Sequence, residues 1–324
     1  MTTPLTLITD CDLPGDAAEG TLRAAGLRAV RAPETSADTL ATLGADAEAL
    51  IVQWHRIDGA LMDRLPRLRI ISRLGIGYDM IDVAAATERG IAVANTPEYC
   101  IEEVAAHTVA MIMAQGRGLA AYDRAVREGV WRAVDARPFA VRPSRTTVSV
   151  LGFGRIGSLV ARGLRGLGFR VVVADPYAPE QAVRDAGCEP ASIDDAIAVA
   201  DLLTLHVPLT EETRHLIGAS ALGRMKPGAV IVNTCRGPLV DEGALAEALI
   251  DGRIGAAALD VFEVEPLPAD SPLRAAPNVL MSPHAAWYSP QALEDLPVHA
   301  AGNVIRFLAG DEVPAIVNRA YAIR

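Results

Sequence analysis

Three polar residues in the second half of the sequence have the side-chain types needed for acid–base chemistry on a carboxylate-bearing molecule. Arg236 follows Asn-Thr-Cys, Glu265 precedes Pro266, and His284 follows Ser-Pro. An arginine binds a carboxylate through two parallel hydrogen bonds, and a histidine exchanges a proton near neutral pH. A neighbouring carboxylate favours the charged form of a histidine. We predict that Arg236 binds the carboxylate, that His284 is the acid/base, and that Glu265 is its partner.

The middle of the sequence contains a glycine-rich segment. Gly152, Gly154 and Gly157 form a G-x-G-x-x-G pattern, which follows an apolar run and opens a helical pattern. The first glycine permits a tight turn, the second lets the backbone approach a pyrophosphate, and the third lets helix and strand pack closely. The helix N-terminus offers N–H groups to the anion. With Arg155 and Ile156, this loop predicts a dinucleotide site.

Asp175 ends the next apolar run, 23 residues after Gly152. A carboxylate at this spacing accepts hydrogen bonds from the ribose 2′-hydroxyl and repels a 2′-phosphate. Pro176 and Tyr177 follow it, and no arginine lies beside it. We therefore predict NAD rather than NADP as the cofactor.

The elements that must position these residues form two series in which short apolar runs alternate with helical patterns. This alternation predicts two doubly wound parallel sheets, in which ligands bind beyond the carboxyl ends of the strands. The predicted strands are residues 5–9, 50–54, 68–73, 91–94, 146–151, 170–174, 201–206, 229–234, 256–260 and 279–282. The predicted helices include residues 79–88, 101–130 with breaks at Gly116 and Gly118, 156–167, 242–251 and 290–308.

Composition excludes several classes of protein. The formal net charge is −10 and there is no cluster of five or more Lys and Arg, so direct nucleic-acid binding is not expected. The four cysteines are far apart, which predicts neither a disulfide framework nor a metal site. The N-terminus does not have the pattern of a signal peptide, and no run of 18 apolar residues occurs. We expect a cytoplasmic protein without a membrane span.

These motifs together resemble the D-isomer-specific 2-hydroxyacid dehydrogenase family. The central G-x-G-x-x-G, N-T-C-R-G, D-V-F-E-x-E-P and S-P-H occur in the family's order, and the resemblance covers nearly the whole length. It implies the roles given above for Arg236, Glu265 and His284, and its Glu-Pro pair favours Glu265 over the competing Glu263. It also implies that N–H groups of Ile76 and Gly77, in the loop that begins at Gly75, hold the substrate carboxylate. Family members are usually homodimers joined through the cofactor domain.

Some segments are similar to the branch of the C-terminal binding proteins. They are residues 284–289 (His-Ala-Ala-Trp-Tyr-Ser), residues 73–79 and residues 54–56. This similarity implies that Arg73 and Trp287 line the substrate pocket. The branch includes transcriptional corepressors and bacterial enzymes whose substrates are mostly uncertain.

Further residues are predicted to contact the cofactor. They are His206, Val207, Pro208, Thr213, Thr234, Cys235, Asp260 and Ala286. Asp260 is expected to bind the nicotinamide carboxamide and Cys235 to be a small residue against the cofactor. The His206 side chain either contacts the cofactor or is an ordinary residue at a strand end. His107, on the long helix, is interpreted as a packing or interface residue.

The resulting hypothesis is a two-domain enzyme. Residues 1–98 and 289–324 are predicted to form a flavodoxin-like substrate domain, and residues 99–288 a Rossmann cofactor domain, with the active site in the cleft between them. The expected reaction is reduction of a 2-keto acid to a D-2-hydroxy acid with NADH. The alternative is an NAD(H)-sensing, corepressor-like binding protein with weak dehydrogenase activity. The acid stays open: Arg73 and Trp287 suit a medium-sized or aromatic keto acid or a dicarboxylate at least as well as glyoxylate or hydroxypyruvate.

Overall fold

The computed structural model describes residues 3–136 and 140–323, and the chain divides into two compact units. The first unit is formed by Met1–Cys100 and Tyr288–Arg324, and the second by Ile101–Trp287. The domain boundaries predicted after residues 98 and 288 lie within two residues of this division.

The strands and helices alternate along most of the sequence. The strands are β1 (Leu5–Ile8), β2 (Arg28–Arg31), β3 (Ala47–Val52), β4 (Ile70–Arg73), β5 (Ala92–Ala94), β6 (Thr147–Leu151), β7 (Arg170–Ala174), β8 (Glu189–Pro190), β9 (Leu202–Leu205), β10 (Ala229–Asn233), β11 (Ile254–Leu259) and β12 (Val279–Met281). The α-helices are α1 (Ala17–Ala24), α2 (Ala37–Leu43), α3 (Gly59–Asp63), α4 (Val83–Glu88), α5 (Ile101–Gly116), α6 (Leu119–Arg127), α7 (Ala133–Ala136), α8 (Arg155–Gly166), α9 (Glu180–Asp185), α10 (Ile193–Val199), α11 (Ala219–Arg224), α12 (Glu242–Ile250) and α13 (Pro290–Ala309). Short 3₁₀ helices cover Pro143–Arg145, Gly237–Leu239, Pro272–Arg274 and Arg319–Ile323.

The first unit is built on a five-stranded parallel sheet of order β2-β1-β3-β4-β5. This is the flavodoxin-like order, so the predicted fold class is confirmed for this unit. The central strands β3 and β4 are almost entirely buried, as parallel strands with helices on both faces must be. The sequence analysis missed β2 because this edge strand, Arg-Ala-Val-Arg, is half-exposed and lacks an apolar run.

The second unit contains a seven-stranded sheet of order β12-β11-β10-β9-β6-β7-β8, and its strands are also parallel. The order reverses where β6 lies beside β9, which is the switch point of a Rossmann fold. Every residue of β6 and β10 is buried, and separate apolar clusters cover the two faces of the sheet. The predicted Rossmann fold is therefore confirmed, although the two-residue β8 was missed.

Several predicted elements are shorter in the structure because a particular residue ends them. The helix predicted over residues 79–88 begins only at Val83, since the Asp82 side chain caps it by accepting from Ala85 N at 2.9 Å. The break predicted in the long helical region is present: α5 ends at Gly116, and Gly118 adopts φ 64° before α6 begins. Among the residues that the structure describes, no helix is long and apolar enough to cross a membrane.

Candidate active site

The glycine-rich loop connects β6 to α8 in a conformation that requires its glycines. Gly152 has φ 98°, and a Cβ there would lie 2.4 Å from the carbonyl oxygen of His206. A Cβ at Gly157 would lie 2.1 Å from the carbonyl oxygen of Gly152. Helix α8 begins at Arg155 without a side-chain cap, so its N-terminal N–H groups suit a phosphate. The loop thus has the close backbone packing expected of a dinucleotide cradle.

Asp175 lies directly after β7 and fixes this loop. Its Oδ2 accepts a hydrogen bond from Phe153 N at 2.7 Å, and its Oδ1 accepts from Tyr177 N at 2.8 Å. Each oxygen of a carboxylate can accept a second hydrogen bond. The carboxylate can therefore hold the loop and also accept bonds from a ribose.

His206 follows β9, beside the glycine-rich loop. Its Nε2 lies 3.1 Å from the Thr204 hydroxyl, and burial lowers the pKa of His206 to about 4. The His206 side chain is therefore neutral at pH 7, and its hydrogen-bond partner is a residue of the preceding strand, β9. The loop after it is held internally by Thr213, whose hydroxyl donates to the carbonyl oxygen of Pro208 at 2.7 Å.

The segment that carries Arg236 follows β10 and is folded by its own side chains. Asn233 donates from Nδ2 to the carbonyl oxygen of Arg236 at 2.8 Å and accepts from Cys235 N at 3.0 Å. A Cβ at Gly237 would lie 1.9 Å from the carbonyl carbon of Phe262, so this backbone passes directly against the segment after β11. Arg236 is half-buried, and its Nη1 donates to the carbonyl oxygen of Cys235 at 2.8 Å.

Glu265, rather than Glu263, is the partner of His284. The Oε2 of Glu265 lies 2.7 Å from His284 Nδ1, and its Oε1 accepts from Phe262 N at 2.9 Å. Glu263 instead accepts from Glu242 N at 3.0 Å and lies 3.3 Å from His215 Nε2. The structure thus gives His284 the carboxylate that the sequence analysis favoured, and Glu263 a different set of partners.

The charges around Glu265 explain its ionisation. Burial alone would raise its pKa, but the hydrogen bond and charge of His284, the N–H of Phe262 and the charge of Arg236 together lower it. For Glu242 the balance is reversed: burial and the charges of Glu263 and Glu265 raise its pKa, although the N–H of Glu263 opposes them. Glu265 is therefore ionised at neutral pH and close enough to Arg236 to be affected by its charge.

Asp260 is fully buried and binds the turn that contains His284. Its Oδ1 accepts from Ala285 N at 2.8 Å and its Oδ2 from Ala286 N at 2.9 Å. Its backbone carbonyl accepts from His284 N at 2.7 Å, and the Ser282 hydroxyl donates to Oδ1 at 2.5 Å. Bonding of Asp260 to a carboxamide stays a prediction, and the sequence analysis missed its role in holding this turn.

The predicted substrate residues of the first unit form a loop after β4 that Arg73 supports. The Arg73 guanidinium is buried, lies 5.4 Å from the ring centroid of Trp54, and donates to the carbonyl oxygen of Leu74. A Cβ at Gly75 would lie 1.1 Å from its Nη1. Thr96 accepts from Gly75 N at 2.7 Å. Arg73 thus packs against the loop itself, a contact that only the tertiary structure reveals.

The other three predicted substrate residues are Ile76, Gly77 and Trp287. The carbonyl oxygen of Ile76 accepts from Asn95 Nδ2 at 2.7 Å, which fixes the loop beside Gly77. Trp287 is half-buried and is the last residue of the second unit. Its sharing of a pocket with Arg73 stays a prediction.

The lowered pKa of Glu265 predicts how a Glu265→Gln variant responds to pH. Because the folded-state pKa lies below the unfolded value, the ionised carboxylate contributes stability above about pH 4.3, and this is lost as pH falls through the folded pKa. With a side chain that is about a third exposed, we expect the variant to be less stable at pH 7 by less than ~1 kcal/mol. The difference should disappear at acidic pH in urea unfolding experiments.

The exposed Glu212→Gln is the matched control and should be as stable as the wild type across this range. An equal loss of stability at pH 7 and at pH 3 in Glu265→Gln would contradict the assignment.

Comparisons with known proteins show which family the chain belongs to. Residues 109–286 match the model of the D-isomer specific 2-hydroxyacid dehydrogenase NAD binding domain. The chain is 41% identical over 288 residues to a glyoxylate reductase of Aeropyrum pernix, which covers 87% of this chain and 86% of the relative.

Two solved structures show the same fold over nearly the whole length. A D-lactate dehydrogenase of Aquifex aeolicus, in complex with NAD and lactic acid, has a TM-score of 0.86 and 29% identity, covering 95% of this chain and 96% of its own. An NADPH-dependent glyoxylate/hydroxypyruvate reductase of Sinorhizobium meliloti, in complex with NADP and malonate, has a TM-score of 0.87 and 29% identity, covering 98% of both proteins. The chain therefore belongs to the D-isomer specific 2-hydroxyacid dehydrogenase family.

Proposed function

We propose that this protein reduces a 2-keto acid to a D-2-hydroxy acid with NADH. The observation that carries the proposal is the 2.7 Å contact between His284 Nδ1 and Glu265 Oε2, in the same unit as Arg236 and the glycine-rich loop. A histidine paired with an ionised carboxylate is suited to deliver a proton, and an arginine is suited to bind a carboxylate. The family and the Aeropyrum glyoxylate reductase support this reaction class.

In the proposed mechanism, each residue of the site has one task. Arg236 binds the keto acid through its carboxylate and orients the carbonyl group. A nicotinamide held by this unit would supply a hydride to the carbonyl carbon. His284, with Nδ1 engaged by Glu265, donates its Nε2 proton to the carbonyl oxygen, and Glu265 stabilises the charged ring beforehand. In the reverse direction, neutral His284 accepts the hydroxyl proton.

The residues of the second unit fit a dinucleotide. The tight packing at Gly152 and Gly157 brings backbone close to the start of α8, where the first N–H groups would bind the pyrophosphate. Asp175 would bind the adenosine ribose. The other predicted cofactor contacts, at residues 206–208, 213, 234–235, 260 and 286, remain part of the proposal.

Loss of the acid or of the carboxylate ligand should remove activity without unfolding the protein. We expect His284→Asn to lower kcat with a 2-keto acid by about 10²- to 10⁴-fold, the range for a general acid. Arg236→Ala should mainly lower kcat/KM, and Arg236→Lys should restore only part of it because lysine lacks the two-pronged geometry. The measurement is NADH oxidation over a panel that contains glyoxylate, hydroxypyruvate, pyruvate and an aromatic keto acid.

His299→Asn, at an exposed position of α13, is the matched control and should keep wild-type activity. Wild-type protein that turns over none of the panel at millimolar concentration would overturn the enzymatic proposal. NADH binding without turnover would then favour the corepressor-like binding protein. Membership of the C-terminal binding protein-like branch, suggested by residues 284–289, stays a proposal and would gain support from that result.

We infer that NAD is preferred because Asp175 places a carboxylate beside the glycine-rich loop. One structural relative was solved with NAD and another with NADP, so the family alone does not decide the cofactor. In Asp175→Asn, an acceptor for Phe153 N remains but the negative charge is gone. We expect the ratio of kcat/KM for NADPH to that for NADH to rise on the order of tenfold, equivalent to ~1.4 kcal/mol of repulsion removed.

Asp185→Asn removes the same charge from an exposed position on α9 and should leave that ratio unchanged. An unchanged ratio in Asp175→Asn as well would show that Asp175 does not exclude the 2′-phosphate.

We also propose a homodimer formed through the second unit. Apolar side chains are exposed around α6 and α7: Leu119, Val126, Val130, Trp131 and Val134. Trp131 is 86% exposed, which is unusual for so large an apolar residue unless a partner covers it. Family members are usually homodimers joined through the cofactor domain. This exposed apolar patch therefore supports a second copy of the protein as the partner.

A Val126→Glu/Trp131→Glu double variant should sediment as a monomer at concentrations where the wild type is a dimer, because two charges would be buried without partners. Tyr177→Glu, at a residue that is 92% exposed elsewhere in the same unit, should leave the dimer intact. A wild-type protein that is monomeric at micromolar concentration would refute the proposal.

A further inference from the structure

The backbone of the proposed acid/base lies in a region that non-glycine residues rarely occupy. His284 has φ 51°, the left-handed region, in which a side chain with a Cβ is disfavoured. The His284 ring can therefore keep its hydrogen bond to Glu265 only if other residues fix the conformation of the surrounding turn. The residues that hold the turn act on the position of His284 without touching a substrate.

Asp260 fixes the turn that contains His284 through direct hydrogen bonds. Three consecutive N–H groups, of His284, Ala285 and Ala286, donate to its backbone carbonyl and to its two carboxylate oxygens. The carboxylate has no solvent exposure, and an acceptor-only group at such a site needs donors of fixed geometry. Its own position therefore controls where the His284 turn lies.

Two successive hydrogen bonds extend from Asp260 to the first helix of this unit. Ser282 Oγ lies 2.5 Å from Asp260 Oδ1, and His107 Nε2 lies 3.2 Å from Ser282 Oγ and 3.8 Å from the same carboxylate oxygen. Because a carboxylate can only accept hydrogen bonds, the single proton of Ser282 is donated to Asp260. The Ser282 oxygen is then an acceptor, and His107 must donate from Nε2.

Helix α5, which carries His107, is itself fixed against the strand ends. The next residue, Thr108, shares a hydrogen bond of 2.7 Å with the hydroxyl of Thr234, two residues before Arg236. Gln115, two turns further along, donates to the carbonyl oxygen of Asn278 at 2.8 Å. The helix is thus a rigid support from which His107 can hold Ser282.

We propose that His107 and Ser282 are positioning residues, which hold His284 on Glu265 by orienting the Asp260 carboxylate. This inference rests on the proposed function for its catalytic consequence. It differs from a packing role for His107, since packing needs only volume, whereas this role needs a donor at Nε2 and a hydroxyl at residue 282. The difference can be tested with variants that keep or remove those groups.

Ser282→Ala and His107→Leu each remove a group that makes the hydrogen bonds between His107, Ser282 and Asp260. Ser282→Thr keeps the hydroxyl, and His107→Gln keeps a donor near the Nε2 position. The kinetic measurement is kcat and KM for NADH and the primary isotope effect with NADH deuterated at the transferred position. We expect the first two variants to lower kcat on the order of tenfold, since a small misplacement of a catalytic group slows the chemical step. Their isotope effect should increase, and KM for NADH reports separately on the proposed contact of Asp260 with the nicotinamide carboxamide.

Ser282→Thr and His107→Gln should restore kcat to within about threefold of the wild type, because the same series of hydrogen bonds can form. A merely structural role predicts another pattern: kcat falls with the fraction of folded protein, and the isotope effect stays at the wild-type value. That pattern, or a Leu variant as active as the Gln variant, would overturn the proposal.

A second measurement does not depend on turnover. In protein with ¹⁵N-labelled histidine rings, the Nδ1 proton shared by His284 and Glu265 should give a resonance that is absent in His284→Asn. We expect this resonance in the wild type and in Ser282→Thr, and its loss through exchange with water in Ser282→Ala. Neutral His107 should carry its proton on Nε2.

An unchanged His284 resonance in Ser282→Ala, or a His107 ring whose only proton is on Nδ1, would refute the positioning role. These outcomes are distinguishable from failure of the proposed function, in which no keto acid is reduced while the resonances still follow the expected pattern.

Discussion

Parallel strand pairing is the constraint on which the candidate site depends. In the second unit, Asn233 at the end of β10 is paired with Leu205 of β9 and with Leu259 of β11, and Leu259 is paired with Met281 of β12. Parallel hydrogen bonding in this register places the residues that follow these strands along one edge of the sheet. His206, Arg236, Asp260 and His284 come from segments far apart in sequence, and no local signal brings them together.

The spacing between those segments depends on residues without side chains. At Gly237 the backbone passes against Phe262, and at Gly157 it passes against Gly152; a Cβ at either glycine would collide with main-chain atoms. Neither collision could be relieved by a rotamer change, since the obstructing atoms belong to the backbone. The first contact brings the Arg236 segment beside the Glu265 segment, and the second closes the cofactor loop on its own helix.

Electrostatic balance gives the acidic residues of this region different states. Glu265 is ionised because His284 and Arg236 outweigh its burial, whereas the pKa of Glu242 rises because of its burial, to which the charges of Glu263 and Glu265 add. Asp260 is different again: it lies in the interior and accepts from a serine and from successive backbone N–H groups. One carboxylate thus acts on the histidine ring, while another supports the histidine backbone.

Much of this protein could be predicted from its sequence, because the signals are local. The strand–glycine loop–helix pattern predicted the Rossmann fold, and Asp175 was identified by its distance from Gly152. Arg236, Glu265 and His284 follow apolar strands, so their clustering followed from parallel pairing once the fold class was assigned. The half-exposed β2 and the two-residue β8 were missed because neither has a sufficient apolar run.

Other features are decided by tertiary structure alone. The resemblance favoured Glu265 over Glu263, but the contacts of Glu263 with His215 and α12, and that of Glu265 with His284, depend on where the segment after β11 turns. The contact of Arg73 with Trp54 and that of His107 with Ser282 join residues from different elements. Sequence determines which side chains a strand or helix carries, but the hydrogen-bond partner of a buried polar group is selected only when separate elements pack.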